Sequence, residues 1–296
     1  MVFVVLLATQ CLVSCAWNRA FLAPEPIPSG DRFAMRIDAV TADTSFLSIS
    51  GPNSQPVFLN SERKAMDLPY TIESYMIGPP GERINGWYIR ATDRPPEITL
   101  LFMHGNGGNI YTEYLVMLPL VERGASIYML DYRGYGRSEG RATRKNVIED
   151  AEAFVKDALI RTQGSGMPVV LYGQSLGGHT AAVVSGSLPV GVNGVVIEGG
   201  FISFKDMARH SGGLGAIGAW LTKEGPGAEE DLAKYVGPLL VIHSPDDMVV
   251  PIEQAEKLVS VRQGRDRFVK LPGPHASAPL LHADTVMAQI SKMLRD

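Results

Sequence analysis

Residues 168–187 read PVVLYGQSLGGHTAAVVSGS. A β-branched apolar run, 168–172, meets Gly173-Gln174-Ser175-Leu176-Gly177-Gly178 and passes into an apolar helical pattern over 175–187. This is G-x-S-x-G in the setting the motif needs: strand, sharp turn, helix. The turn strains the serine backbone, and side chains at Gly173 or Gly177 would collide with the neighbouring strand and helix. It lifts the hydroxyl above the sheet edge and aims a helix N-terminus at negative charge developing beside it. Ser175 is the candidate nucleophile.

Outward from this turn the chain alternates. Strand-like runs lie at 70–77, 84–90, 98–103, 126–131, 168–172, 194–198, 238–242 and 267–271. Helical patterns lie at 111–122, 143–162, 175–187, 252–262 and 279–294. In the second helix Val147, Ile148, Ala151, Phe154, Val155 and Ala158 recur at helical spacing and form one apolar stripe. The last six strands are mostly continuous apolar runs, which predicts burial on both faces. Such alternation predicts right-handed crossovers and an α/β fold with a mostly parallel central sheet covered by helices on both faces. The first two runs, with Asn85-Gly86 in the second, predict an antiparallel edge. Residues 200–235 are too long for a bare crossover and rich in glycine, which predicts a small, mobile cap.

A nucleophilic serine needs oxyanion donors, a base and an orienting carboxylate. The run 98–103 ends in His104-Gly105-Asn106-Gly107-Gly108-Asn109. No G-x-G-x-x-G occurs there and no Gly-Lys-Ser/Thr follows, which excludes dinucleotide and P-loop cradles. The glycines let the backbone approach a substrate oxygen, so the N–H groups of Asn106 and Leu176 are the candidate donors. His104 reads as a structural hydrogen-bonder. Run 267–271 is followed by Pro272-Gly273-Pro274-His275, which makes His275 the candidate base. His179, His210, His243 and His282 lie on the elbow helix, in the cap, before a chemistry loop and within the last helix. For the acid, Asp246 and Asp247, beyond run 238–242, compete with Glu198 at the end of run 194–198.

The chain has 296 residues, 45% apolar and 20% charged, with a net charge of −4. That range is ordinary for a globular protein and gives no basic footprint for nucleic acid. The two cysteines, Cys11 and Cys15, exclude a disulfide framework and a thiolate zinc site; no cofactor or metal is expected. Met1 to Val13 is almost wholly apolar, too short to span a bilayer and long enough for a signal-peptide core. Leu12-Val13-Ser14-Cys15 resembles the bacterial lipobox, although no Lys or Arg precedes the apolar run. The expected organisation is a lipoprotein-type signal peptide at 1–14, a Pro-rich tether at 15–35 built on Pro24, Pro26 and Pro28, and a domain at 36–296. The expected address is the cell envelope, lipid-anchored at Cys15 to the outer membrane; the alternative is cytoplasmic.

Together these residues resemble the α/β-hydrolase superfamily, and most closely its Bem46-like or S33 serine aminopeptidase-like members. HGNGGN at 104–109, DYRGYGRSEG at 131–140, GQSLGG at 173–178 and HSPDDMVVP at 243–251 carry the resemblance over residues 70–296. It implies the α/β-hydrolase fold, places the acid on Asp247, and makes Arg133 and Tyr135 structural clamps. Ser244 departs from the usual glycine of the acid motif, and Pro274 is unusual before the histidine. The implied activity is that of a serine hydrolase on the ester or thioester of a small or lipid-like acyl substrate, with Ser175, His275 and Asp247 as triad. An aminopeptidase or amidase would need an acidic subsite for a free amine, for which Asp206, Glu224, Glu229 and Glu230 are sources. A catalytically silent binding protein on the same fold is the third reading.

Overall fold

The computed structural model describes residues 22–26, 34–37, 44–48, 55–210, 219, 222, 225, 227–262 and 266–295. Cys15, the apolar start and the middle of the cap, including 211–218, lie outside the described residues. Two sheets form. A small antiparallel one runs β1 (Ala34–Ile37), β2 (Thr44–Ser48), β3 (Val57–Leu59). The other holds eight strands: β4 (Tyr70–Ile77), β5 (Ile84–Ala91), β6 (Ile98–Met103), β7 (Ala125–Leu130), β8 (Val169–Gln174), β9 (Gly194–Glu198), β10 (Leu239–His243) and β11 (Arg267–Lys270). Their spatial order is β11-β10-β9-β8-β6-β7-β5-β4. Strands β6 to β11 pair in parallel, while β4–β5 and β5–β7 are antiparallel, as the Asn85-Gly86 edge predicted.

Residues of β6 to β10 are buried along their whole length because helices cover both faces. Among the described residues the helices are α1 (Ile110–Val121), α2 (Arg144–Thr162), α3 (Leu176–Ser185), α4 (Phe204–Arg209), α5 (Ala228–Lys234), α6 (Ile252–Ser260), α7 (Ala278–Leu281) and α8 (Ala283–Met293). Strand alternation divides the core. Leu100 and Phe102 pack with Met117, Leu120, Val286 and Ile290 of α1 and α8. Leu101 and Met103 pack with Val147, Phe154, Ala181, Leu232 and Leu258 of α2, α3, α5 and α6. The stripe on α2 lies in that second layer, and Thr143 caps the helix by accepting the Asn146 N–H at 3.0 Å.

Three expectations need correction. β11 is not buried on both faces: as the edge strand it hydrogen-bonds to β10 alone and its residues stay half-buried or exposed. The pattern at 279–294 is two helices, broken at His282, whose ring donates to the Pro272 carbonyl at 2.7 Å and ties α7 to the preceding loop. The tether, expected to be a spacer throughout, is docked on the domain at residues 22–26, and the expected boundary at 35/36 falls within β1.

Candidate active site

The elbow has the geometry its glycines permit. Ser175 has φ 54° and ψ −114°, a left-handed position that a serine occupies only under strain. A Cβ on Gly173 would lie 2.1 Å from the Gly177 carbonyl oxygen, and one on Gly177 would lie 1.9 Å from that of Met103. Two backbone hydrogen bonds pin the turn: Ser175 N–H to the Glu198 carbonyl at 2.9 Å and His179 N–H to the Ser175 carbonyl at 3.0 Å.

The residue after Glu198 brings the other groups in. A Cβ on Gly199 would lie 3.0 Å from His275 Cε1 and 3.6 Å from Asp247 Oδ2, so the acid and base gather beside the strand end that holds Ser175. His275 Nδ1 lies 2.6 Å from Asp247 Oδ2. A carboxylate only accepts, so Nδ1 carries the proton, and Nε2 has no partner among the described residues. Asp247 Oδ1 accepts the N–H groups of Val249 and Val250 at 2.8 and 2.9 Å. Burial alone would raise this carboxyl. The bond from His275 and the two N–H groups nonetheless hold it below the ordinary carboxylate range. Ser244 links the acid and base loops, donating to the Gly273 carbonyl at 2.5 Å and accepting the Asp246 N–H at 3.0 Å.

Of the three carboxylates weighed for His275, only Asp247 makes the contact. Asp246 is exposed and accepts the Gly273 N–H at 3.3 Å. Glu198 is buried and already engaged: it accepts from Tyr172 Oη, Gln174 Nε2 and Ala278 N, each at 2.7 Å. Burial raises its carboxyl. Gln174 Nε2 also donates to the Ala276 carbonyl at 3.1 Å, so this brace joins the elbow to the histidine loop. Sequence reasoning missed the brace. Its signal was a polar residue at the end of each of two apolar runs, and Gln174 and Glu198 are register partners of β8 and β9.

On the other flank, a Cβ on Gly105 would lie 3.3 Å from that of Ser175, so the 104–109 loop passes close to the hydroxyl. Leu176 opens α3, and its N–H has no acceptor within the helix. Asn106 Oδ1 accepts the Tyr135 hydroxyl at 2.9 Å and the Ala23 N–H at 2.8 Å. His104 is fully buried, with Nδ1 2.7 Å from the Gly105 carbonyl, and burial pushes it down to about 4. Arg133 clamps its loop to α2, donating to Asp150 Oδ1 at 2.6 Å and Glu149 Oε2 at 2.8 Å. Among acids considered for an amine subsite, Asp206 is engaged by Lys257, by Gln254 at 2.6 Å and by Arg209 at 3.1 Å. Glu229 and Glu230 are exposed on α5, and Glu224 lies outside the described residues. Among the described residues, no group of three His, Cys, Asp or Glu side chains is placed to hold a metal.

The family model described as "Serine aminopeptidase, S33" matches residues 94–223. The uncharacterized protein YfhR of Escherichia coli O157:H7 is 30% identical over 204 residues, covering 67% of this chain and 71% of YfhR. The chain belongs to the α/β-hydrolase family. Solved structures share the hydrolase architecture. The esterase Pf2001 of Pyrococcus furiosus superposes with a TM-score of 0.60 at 17% identity, over 76% of this hydrolase and 92% of that chain. The acylaminoacyl peptidase of Pyrococcus horikoshii superposes at 0.61 and 15% identity, over 91% of this hydrolase and 49% of that chain.

Proposed function

We propose that this hydrolase cleaves a carboxylic ester or thioester through an acyl-enzyme on Ser175. The observation that carries the reading is the 2.6 Å contact between His275 and Asp247 beside the strained serine. The Ser175 hydroxyl attacks the carbonyl carbon, and His275 Nε2 takes its proton. Asp247 keeps the proton on Nδ1 and steadies the imidazolium. The N–H groups of Asn106 and Leu176 hold the oxyanion. The tetrahedral adduct then expels the alcohol or thiol, which takes the proton from Nε2, and a water repeats the sequence to free the acid. An amide substrate would use the same groups. Among acids weighed as an amine subsite, Asp206 is already committed to Lys257, Gln254 and Arg209, which favours the ester reading.

A fluorophosphonate probe and p-nitrophenyl esters of increasing chain length, run beside aminoacyl anilides, test this. The expected result is labelling at Ser175 and turnover of esters over anilides. Ser175→Ala should abolish both while leaving the melting temperature in place, and turnover within about tenfold of wild type would overturn the assignment. A folded protein that neither labels nor turns over would be a binding protein. We further propose that Cys15 carries a lipid that holds the enzyme at the cell envelope, supported by Leu12-Val13-Ser14-Cys15 after the apolar run.

A further inference from the structure

The segment 22–26 reaches the side chain of Asn106 and the apolar cluster that holds Leu176, the two residues whose N–H groups are the candidate oxyanion donors. Ala23 N–H donates to Asn106 Oδ1 at 2.8 Å, the oxygen that also takes the Tyr135 hydroxyl. Leu22 packs on the cluster of Leu176, Phe201, Phe204 and Val250. Glu25 fastens the far end: its carbonyl accepts the Gly136 N–H at 2.9 Å and Asn109 Nδ2 at 3.3 Å, while Pro26 bridges Gly136. The loop being held contains Gly105, Gly107 and Gly108, so its own backbone supplies little stiffness.

We propose that Leu22–Pro26 is a strap that positions the oxyanion donors, with Ala23 and Leu22 as positioning residues. The inference rests on the serine-hydrolase reading and deepens it. An amide oxygen with two donors fixed on separate elements cannot swing, and Asn106 therefore presents its own N–H in one direction. Leu22 packs on the cluster that buries Leu176, the first residue of α3. Donors act on a transition state only within hydrogen-bond distance of where its charge appears, and displacement by about 1 Å costs up to about a hundredfold in rate. The strap thus makes the chain upstream of the domain part of the apparatus.

The test uses the full chain and p-nitrophenyl butyrate, with active sites counted by phosphonate labelling taken to completion. Ala23→Pro deletes the N–H that Asn106 accepts and suits the extended segment before Pro24. Leu22→Asp unseats the other contact and stands in if the first variant does not fold. Each should lower kcat per labelled site by about tenfold or more with KM within about twofold, the split expected when an interaction made in the transition state is lost. Unchanged kcat with a lowered melting temperature would make the strap a mere stabiliser and overturn the proposal. A raised kcat/KM would make it an obstruction, with the same consequence. A wild-type protein that neither labels nor hydrolyses would overturn the hydrolase reading, and this inference with it.

Discussion

An imidazole can be steered by one carboxylate at a time, and Asp247 occupies that position at His275 Nδ1. Asp247→Asn is expected to lower kcat by about 10⁴-fold, because the amide can donate and so favours the wrong tautomer. Asp246→Asn, at an exposed oxygen 3.3 Å from the Gly273 N–H, should stay within about threefold. Steady-state rates on one ester check both, and the reverse order would reject the acid assignment. The motif reading had already chosen between these neighbours, whereas composition and spacing alone left Glu198 in contention. Nothing in a sequence says that a buried carboxylate is already engaged by Tyr172, Gln174 and Ala278. Asp131 carries a pH prediction. It is fully buried, and burial pushes its carboxyl up to about 7, although it accepts the Ile110 N–H at 2.8 Å. The folded value lies above the unfolded value of about 3.9. Its contribution to stability is therefore full below that value and lost as pH rises through about 7. Asp131→Asn is neutral throughout, so its melting temperature should fall less steeply between about pH 4 and pH 7 than that of wild type. Parallel slopes in calorimetry would show that Asp131 does not titrate there.

Among the elements, the elbow depends most on absent side chains. Gly177→Ala would put a methyl 1.9 Å from the Met103 carbonyl oxygen, in the backbone of a central strand that cannot give way. The expected cost is on the order of 3 kcal/mol, with activity lost through a distorted Ser175. Gly227→Ala, with no atom of the described residues within 4 Å of the new carbon, should keep wild-type turnover and lose at most about 1 kcal/mol as a poorer cap of α5. Equal behaviour of the two variants would contradict the packing described. The strands of the main sheet were legible because their runs are apolar, β-branched and of ordinary length. The small sheet was not: β1, β2 and β3 have four, five and three residues, and they alternate too little to stand out from loop. The break at His282 was equally hidden. A helical pattern continues across it, while the His282 backbone leaves the helix at φ −135° and ψ 33° and its ring donates to the Pro272 carbonyl.

At the scale of the whole molecule, the order of the motifs announced the architecture, but the docking of the tether was invisible. Alternating prolines predict an extended segment without saying what it lies against. The anchor prediction concerns the chain beyond that segment. Wild-type protein expressed in bacteria should sediment with membranes, and Cys15→Ser should release it or leave the precursor uncleaved. Two lipid modifications at one cysteine bury many CH₂ groups at about 0.8 kcal/mol each, enough for stable attachment. Mass spectrometry of a soluble chain with Met1 intact and no lipid on Cys15 would refute the anchor.

The strap also imposes an order on biosynthesis. Ala23 precedes its acceptor Asn106 by 83 residues, a lag of about 4–17 s at the usual pace of translation of about 5–20 residues per second. Leu22 waits longer still, for Leu176. Throughout that interval residues 22–26 have no site to close on. The oxyanion loop can be held only afterwards. Closure of the strap follows synthesis of the elbow, in an order written into the chain by where residues 22–26 find their partners.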